Sequence, residues 1–326
     1  MADLELPTSF RPFPLLVNPH LQTILGFVWR GRAFRHPTRR HELLLSDGDR
    51  LVLHDSKPAT WHDGKPIALV IHGMGGDHRS GYVQRLSARL VSEGVRVVRI
   101  DLRGTGAGFG LAEGFYHGGR SDDIRASLAE LNRWSPSSPL WVIGFSLGGN
   151  LALKLAGEAA DNPVPGLTRA AAVAPPIDVV RCSALISLPK NRIYDRFFAN
   201  QLVRLARLRQ RFYPNPPLPI FPPKLSLRQF DDLFTAPRSG FTDAMDYYHR
   251  ASSFPLIPRI QIPTLIVTAR DDPFVAVAPF EELRAPPHVQ VEIHERGGHL
   301  GFIGFDGSGG VRWAERRVAD WLVGPG

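Results

Sequence analysis

A single cysteine in 326 residues, Cys182, excludes an internal disulfide and any multi-cysteine metal centre, which fits a reducing compartment. Long hydrophobic runs are also missing. The best candidate for a targeting segment, Phe13 to Trp29, is interrupted by Pro14, Asn18, Pro19, His20 and Gln22 and has no basic region before it. Neither a signal peptide nor a spanning helix is expected, and cytoplasm is the default location. Nucleotide-binding signatures are absent as well: Gly73-Met74-Gly75-Gly76 and Gly104-Thr105-Gly106-Ala107-Gly108 match neither G-x-G-x-x-G nor the Gly-Lys-Ser/Thr ending of a P-loop. In His294-Glu295-Arg296-Gly297-Gly298-His299 the histidines are five apart and the paired glycines oppose a helix, so a zinc-protease motif fails too. No cofactor and no metal are expected.

Acidic residues are scarce in one stretch. Ten cations from Arg181 to Arg228 share it with Asp178 and Asp195 only, within a chain of net charge +8. A solvated charged face is the first reading, peripheral contact with anionic membrane the second, and nucleic acid is not expected as a partner.

What the chain does contain is an alternation of strand and helix signals. Leu43-Leu44-Leu45 and Leu51-Val52-Leu53 flank an Asp-Gly turn and read as a hairpin. Ile67 to Ile71, Val95 to Ile100, Leu140 to Ile143 and Ala170 to Ala174 read as strands, with helical spacing between them at Val83, Leu86, Leu90 and at Ile124, Leu128, Leu131. This pattern predicts an α/β fold with a mostly parallel central sheet and helices on both faces. From Pro175 to about Pro258 the strands stop. Helical stretches around Ile193 to Arg209 and Phe241 to His249, with a proline-rich turn region between, point to an inserted helical cap. Thr264 to Thr268 and Val289 to Ile293 resume the sheet, and Val311 to Leu322 closes it with a helix. The expected division is an arm over 1–40 packed on the body, a core over 41–174 and 259–326, and a cap over 175–258.

The chemistry is carried by Gly144-Phe145-Ser146-Leu147-Gly148, which places a serine where a strand turns sharply into a helix. A serine hydroxyl is a weak nucleophile at neutral pH and requires a base, which a third group must orient. Asp271 and Asp272 follow the strand ending at Thr268, and His299 follows the strand ending near Ile293, so the order is serine, aspartate, histidine. Asp272 is the preferred acid, because Asp-Pro-Phe-Val follows the common pattern after such an acid; Asp271 is the backup. Two backbone N–H groups are the candidate donors for a developing oxyanion: that of Leu147, next to the serine, and that of Met74, in the glycine-rich loop after Ile71. His72 is read as a brace for that loop. Phe197, Phe198, Leu202, Leu205 and Phe212 are candidates for lining an acyl pocket or for the cap's own core.

Asn18-Pro19-His20-Leu21-Gln22-Thr23-Ile24, His72 to Gly76, Asp101-Leu102-Arg103-Gly104, Tyr116-His117-Gly118-Gly119, Gly144 to Asn150, Asp271-Asp272-Pro273-Phe274 and Gly298 to Phe302 occur in this order along the chain. Together they resemble the YheT-like branch of the α/β-hydrolases, family 4 of that superfamily. The resemblance covers most of the chain and is weakest in the arginine-rich cap. It implies an α/β-hydrolase fold and a serine carboxylic-ester hydrolase, with medium-chain acyl esters or phospholipids as candidate substrates. Two rivals are kept: an acyltransferase that passes the acyl group to an alcohol, and a non-catalytic protein of the same fold that binds membrane or nucleic acid.

Overall fold

The structure, a computed structural model, describes residues 9–324 apart from 30, 32 and 308. Helix α1 (Pro19–Val28) lies in the segment that the sequence marks only as an arm. It starts where it does because the Asn18 side chain accepts the N–H groups of His20 and Leu21 at 2.9 and 3.2 Å, with Pro19 preorganised in the first turn.

The sheet has eight strands: β1 (Arg39–Leu44), β2 (Arg50–Ser56), β3 (Ile67–Ile71), β4 (Arg96–Asp101), β5 (Leu140–Phe145), β6 (Leu167–Val173), β7 (Thr264–Ala269) and β8 (Val289–His294). Their spatial order is β1-β2-β4-β3-β5-β6-β7-β8. The hairpin β1–β2 and the β2–β4 pair are antiparallel, and every other pair is parallel. Strands β3 and β5 are buried along their whole length, which is why they are continuous apolar runs rather than alternating ones.

Helices α2 (Gly81–Ser92), α3 (Ser121–Trp134) and α4 (Leu147–Glu158) make the crossovers between the first parallel strands. Beyond β6 the chain forms α5 (Val179–Ile186), α6 (Arg192–Gln210), α7 (Leu227–Phe230), α8 (Ala236–Arg238) and α9 (Ala244–Ala251), with a π-helical turn, Asp231–Thr235, joining α7 to α8. Residues 175–258 contain no strand among those described. Helix α9 begins later than the apolar pattern suggests, because Asp243 caps it by accepting the Asp246 N–H at 2.8 Å. Helix α10 (Ala278–Glu282) follows β7, and α11 (Trp313–Val323) ends the described chain.

Two cores result. Val83, Leu86 and Leu90 of α2 and Trp313, Val318 and Leu322 of α11 pack on one sheet face, against Val70, Val97, Ile143 and Val267. Ile124, Leu128 and Leu131 of α3 and Leu151 and Leu155 of α4 pack on the other, against Leu69, Val98, Val142 and Ile266. Each fully buried side chain of this kind contributes about 1.5–3 kcal/mol, so the sheet is a rigid platform for the loops at its carboxyl edge. Among the described residues no helix is long and apolar enough to cross a membrane.

Candidate active site

Ser146 stands between β5 and α4 with φ 51° and ψ −121°, a backbone conformation that costs a non-glycine residue roughly 1–3 kcal/mol. Its neighbours explain how the turn closes. A Cβ on Gly144 would lie 2.0 Å from the Gly148 carbonyl oxygen, and one on Gly148 would lie 2.6 Å from the His72 carbonyl oxygen. Strand, helix and the end of β3 therefore meet backbone to backbone, and the serine is held clear of the sheet.

His299 lies on the loop after β8, and its Nε2 is 2.9 Å from Ser146 Oγ while its Nδ1 is 2.8 Å from Asp272 Oδ2. A carboxylate only accepts, so Nδ1–H donates to Asp272 and Nε2 is left to accept from the serine. The other Asp272 oxygen accepts the N–H groups of Phe274 and Val275 at 3.0 and 2.9 Å. Asp271 points elsewhere: its Oδ1 accepts the Gly298 N–H at 2.9 Å, and burial raises its pKa. The structure thus brings Asp272, and not Asp271, to the histidine.

The histidine loop is fixed from an unexpected side. Thr23 of α1 accepts the His299 N–H at 2.9 Å and donates its own hydroxyl proton to the Pro19 carbonyl at 2.7 Å. Gln22 donates to the Ile303 carbonyl and accepts the Ile303 N–H. A Cβ on Gly298 would lie 2.5 Å from the Pro19 carbonyl, so the second glycine before His299 is required by the closeness of α1. These contacts belong to the Asn18 to Ile24 motif, whose local sequence carries no sign of this role.

Met74 lies on the loop after β3, which touches the serine: a Cβ on Gly73 would be 3.1 Å from Ser146 Cβ. Three side chains hold this loop. Tyr82 Oη accepts the Gly73 N–H at 3.0 Å, Tyr116 Oη accepts the Gly75 N–H at 2.8 Å, and His72 Nδ1 donates to the Gly73 carbonyl at 2.7 Å. Burial lowers the pKa of His72, keeping it a neutral brace. The amides on either side of Met74 are thereby engaged and the peptide orientation at Met74 is set. Leu147 opens α4, where the first N–H groups have no acceptor within the helix, so its amide and the positive end of the helix dipole lie beside Ser146. Tyr116 belongs to a motif visible in the sequence, whereas nothing there marks Tyr82. Asn150 is another residue without an assigned part: it donates to the carbonyls of Gly118 and Ala251 and accepts the Ser253 N–H, tying α4 to the end of the 175–258 segment.

Two cavities meet at Ser146. The outer one, about 560 Å³, runs between α1 and α6 and is lined by Ile24, Phe27, Ile193, Phe197, Phe198 and Phe274. The inner one is smaller, passes Phe198, Leu202 and Ile186, and ends at Asp231, Tyr247 and Tyr248. The Tyr248 hydroxyl donates to Asp231 at 2.8 Å, and burial pushes the Asp231 carboxyl up to about 7. Of the five apolar candidates, Phe197, Phe198 and Leu202 line these cavities. Leu205 and Phe212 line neither; Leu205 packs into the core, and the Phe212 ring lies over Gly110.

Cys182 borders the inner cavity, but burial pushes its thiol up to about 12, so it is not a nucleophile at neutral pH. His54, His78 and Asp101 form a compact triplet with metal-ligand chemistry. The Asp101 carboxylate there already accepts from His54 Nε2, His78 Nδ1 and the amides of His78 and Ala107, and the two imidazoles stack with centroids 3.5 Å apart. Burial alone would raise the Asp101 pKa, but the histidine hydrogen bonds outweigh it and hold the carboxyl well below its usual range. The triplet is a hydrogen-bonded knot behind the loop after β4.

The arrangement can deliver a serine hydroxyl to an electrophilic carbonyl and remove its proton, with backbone donors nearby and an apolar approach. Comparisons with known proteins agree with that chemistry. The model of the α/β hydrolase fold family matches residues 66–306. The YheT protein of Escherichia coli K12 is 36% identical over 98% of this chain and 95% of its own length. A monoacylglycerol lipase of Saccharomyces cerevisiae is 29% identical over 80% of this chain and 59% of its own. Among solved structures, the Pyrococcus furiosus esterase Pf2001 superposes with a TM-score of 0.58 at 17% identity, covering 88% of this chain and 90% of that one. The chain belongs to the α/β-hydrolase fold family, in its YheT-like branch.

Proposed function

We propose that the protein is a serine carboxylic-ester hydrolase that cleaves medium-chain acyl esters or lipids through an acyl-enzyme. Ser146 is the nucleophile, His299 the general base and then acid, and Asp272 the group that orients the imidazole and balances its charge. The amides of Leu147 and Met74 receive the oxyanion. One observation carries this reading: Ser146 Oγ, the His299 ring and the Asp272 carboxylate are joined at 2.9 and 2.8 Å at the meeting point of two largely apolar cavities.

In the first step the Oγ–carbonyl bond forms as the serine proton passes to His299 Nε2. Collapse of the tetrahedral species breaks the bond to the alcohol, which leaves with that proton. Water then repeats the sequence, giving its proton to Nε2 and releasing the acid and Ser146. We read residues 175–258 as a cap whose α6 walls both cavities and whose α5 walls the inner one, with the arm over 1–40 contributing α1 to the outer wall. A lipid substrate is supported by the apolar lining and by the lipase named among the relatives.

Fluorophosphonate labelling tests the nucleophile: the folded protein should be modified at Ser146 and not after Ser146→Ala. A panel of esters graded by acyl length tests the substrate, with a maximum expected at medium chains. A flat profile, or no turnover of any ester by protein that labels, would remove the substrate reading. Running the panel with a competing alcohol separates hydrolysis from acyl transfer, since a transferase would yield the new ester in place of free acid.

A further inference from the structure

Helix α1 is amphipathic in the inverted sense. The face against the protein carries Gln22, Thr23 and Gly26, while Leu21, Ile24, Phe27 and Val28 are 46–59% exposed. This orientation cannot rotate away. Gln22 and Thr23 are committed to the backbone of Ile303 and His299, and Gly26 fits only because a Cβ there would already lie 3.0 Å from the Leu300 carbonyl oxygen. Hydrogen bonding to the histidine loop therefore forces the apolar face outward, against the usual rule that such a face is buried.

Across the outer cavity the start of α6 does the same. Ile193 is 81% exposed and Phe197 is 40% exposed, and Phe27 meets Phe197 edge to face at 5.8 Å. The rim is continuous with the cavity, because Ile24, Phe27, Val28, Ile193 and Phe197 line its walls as well. The charges that reach the surface at the start of α6 have one sign. Lys190 and Arg192 are exposed and Arg196 is half-buried, whereas the acid of that stretch, Asp195, is buried with its carboxylate on the Leu227 N–H. Much of the remaining basic cluster lies apart from the mouth: Arg209 is buried against Glu113, and Arg204, Arg207, Arg211 and Lys224 border a different surface hollow.

We propose that the α1–α6 rim docks on an anionic lipid surface, so that an acyl chain passes from the lipid phase into the outer cavity and reaches Ser146 without crossing water. The apolar ring supplies contact with the acyl region, and Lys190, Arg192 and Arg196 meet the anionic headgroups. The acyl-delivery half rests on the ester-hydrolase reading; the docking half does not.

Co-sedimentation of the full chain with vesicles of phosphatidylcholine and phosphatidylglycerol at a ratio of roughly 7:3, against vesicles of phosphatidylcholine alone, tests docking apart from catalysis. The wild type is expected to bind the anionic vesicles more strongly. Leu21→Glu with Leu188→Glu, both exposed and outside the cavity walls, should lower that binding at least about tenfold. Arg192→Gln with Arg196→Gln should lower it about fivefold per charge, with turnover of a water-soluble butyrate ester unchanged in all four substitutions. Wild-type binding that is absent, or that survives both pairs of substitutions, overturns the proposal. So does sedimentation equilibrium showing a dimer that the Glu pair dissociates, because a second copy would then be the partner of this face. Loss of butyrate hydrolysis in the wild type would instead strike the proposed activity and leave the docking result standing.

Discussion

Thr23 of α1 accepts the backbone N–H of His299 at 2.9 Å, across 276 residues of sequence. Helix α1 thus sets the position of the His299 loop near the other end of the sheet's strand order. A one-residue rotation of α1 would remove this acceptor and the Gln22 contacts together.

Thr23→Val keeps the shape of the side chain and removes the acceptor, leaving the buried His299 N–H without a partner at a cost of about 1–3 kcal/mol. Because the loss falls on the position of His299, the proposed base, kcat on a soluble ester should drop at least about fivefold while KM changes little. Unchanged kcat with a fold of reduced stability would restrict Thr23 to a structural part.

The adjacent carboxylates should separate by orders of magnitude. Asp272→Asn leaves the geometry but favours the wrong imidazole tautomer, a change worth on the order of 10⁴ in kcat where such triads have been measured. Asp271→Asn disturbs only the contact to the Gly298 N–H and should cost less than about tenfold. The reverse ranking in steady-state assays would move the acid to Asp271.

Glycines at the elbow should differ by the closeness of their neighbours. Gly148→Ala drives a methyl to 2.6 Å from the His72 carbonyl, which backbone cannot relieve cheaply; Gly149→Ala meets its nearest atoms at 3.1 Å. The first should destabilise by more than about 4 kcal/mol or abolish folding, and the second should be milder. Denaturant midpoints of the two variants check the order.

Asp231 titrates at about 7 in the folded protein against a usual value of 3.8, because burial penalises its charged form. Between these values the folded state holds a proton that the unfolded state has lost. Its contribution to stability is therefore fully present below about pH 4 and is lost as pH rises through 7, for a total of at most about 4 kcal/mol. Asp231→Asn cannot ionise. Wild type minus Asp231→Asn stability should fall across that window and level off above about pH 8, and a difference independent of pH would show that Asp231 titrates normally.

Local signals carried much of the fold. The apolar runs at Ile67 to Ile71 and Leu140 to Ile143 correspond to β3 and β5, and the stretch around Ile193 to Arg209 to α6, because buried strands and amphipathic helices write their period directly into the chain. Helices α1 and α5 escaped that reading. The exposed side of α1 is apolar and its buried side polar, so its pattern points the wrong way, and α5 is short and is set by the Asp178 cap. At the site, residue types and order suggested Ser146, Asp272 and His299, but nothing local shows that the Tyr82 hydroxyl holds the Gly73 N–H, or that Asn150, though part of the elbow motif, ties α4 to Gly118 and Ala251.

The sequence by itself determined the elbow, the strands and the order of Ser146, Asp272 and His299, since elbow and strands are set by residues close together along the chain and the order is the chain's own. Only the tertiary structure decided which aspartate faces His299, which hydroxyls hold the Met74 loop, and that α1 and α6 turn apolar surface outward around the cavity mouth. Those outcomes depend on contacts between segments up to 281 residues apart, and such contacts are selected by the packing of the whole molecule rather than by any local preference.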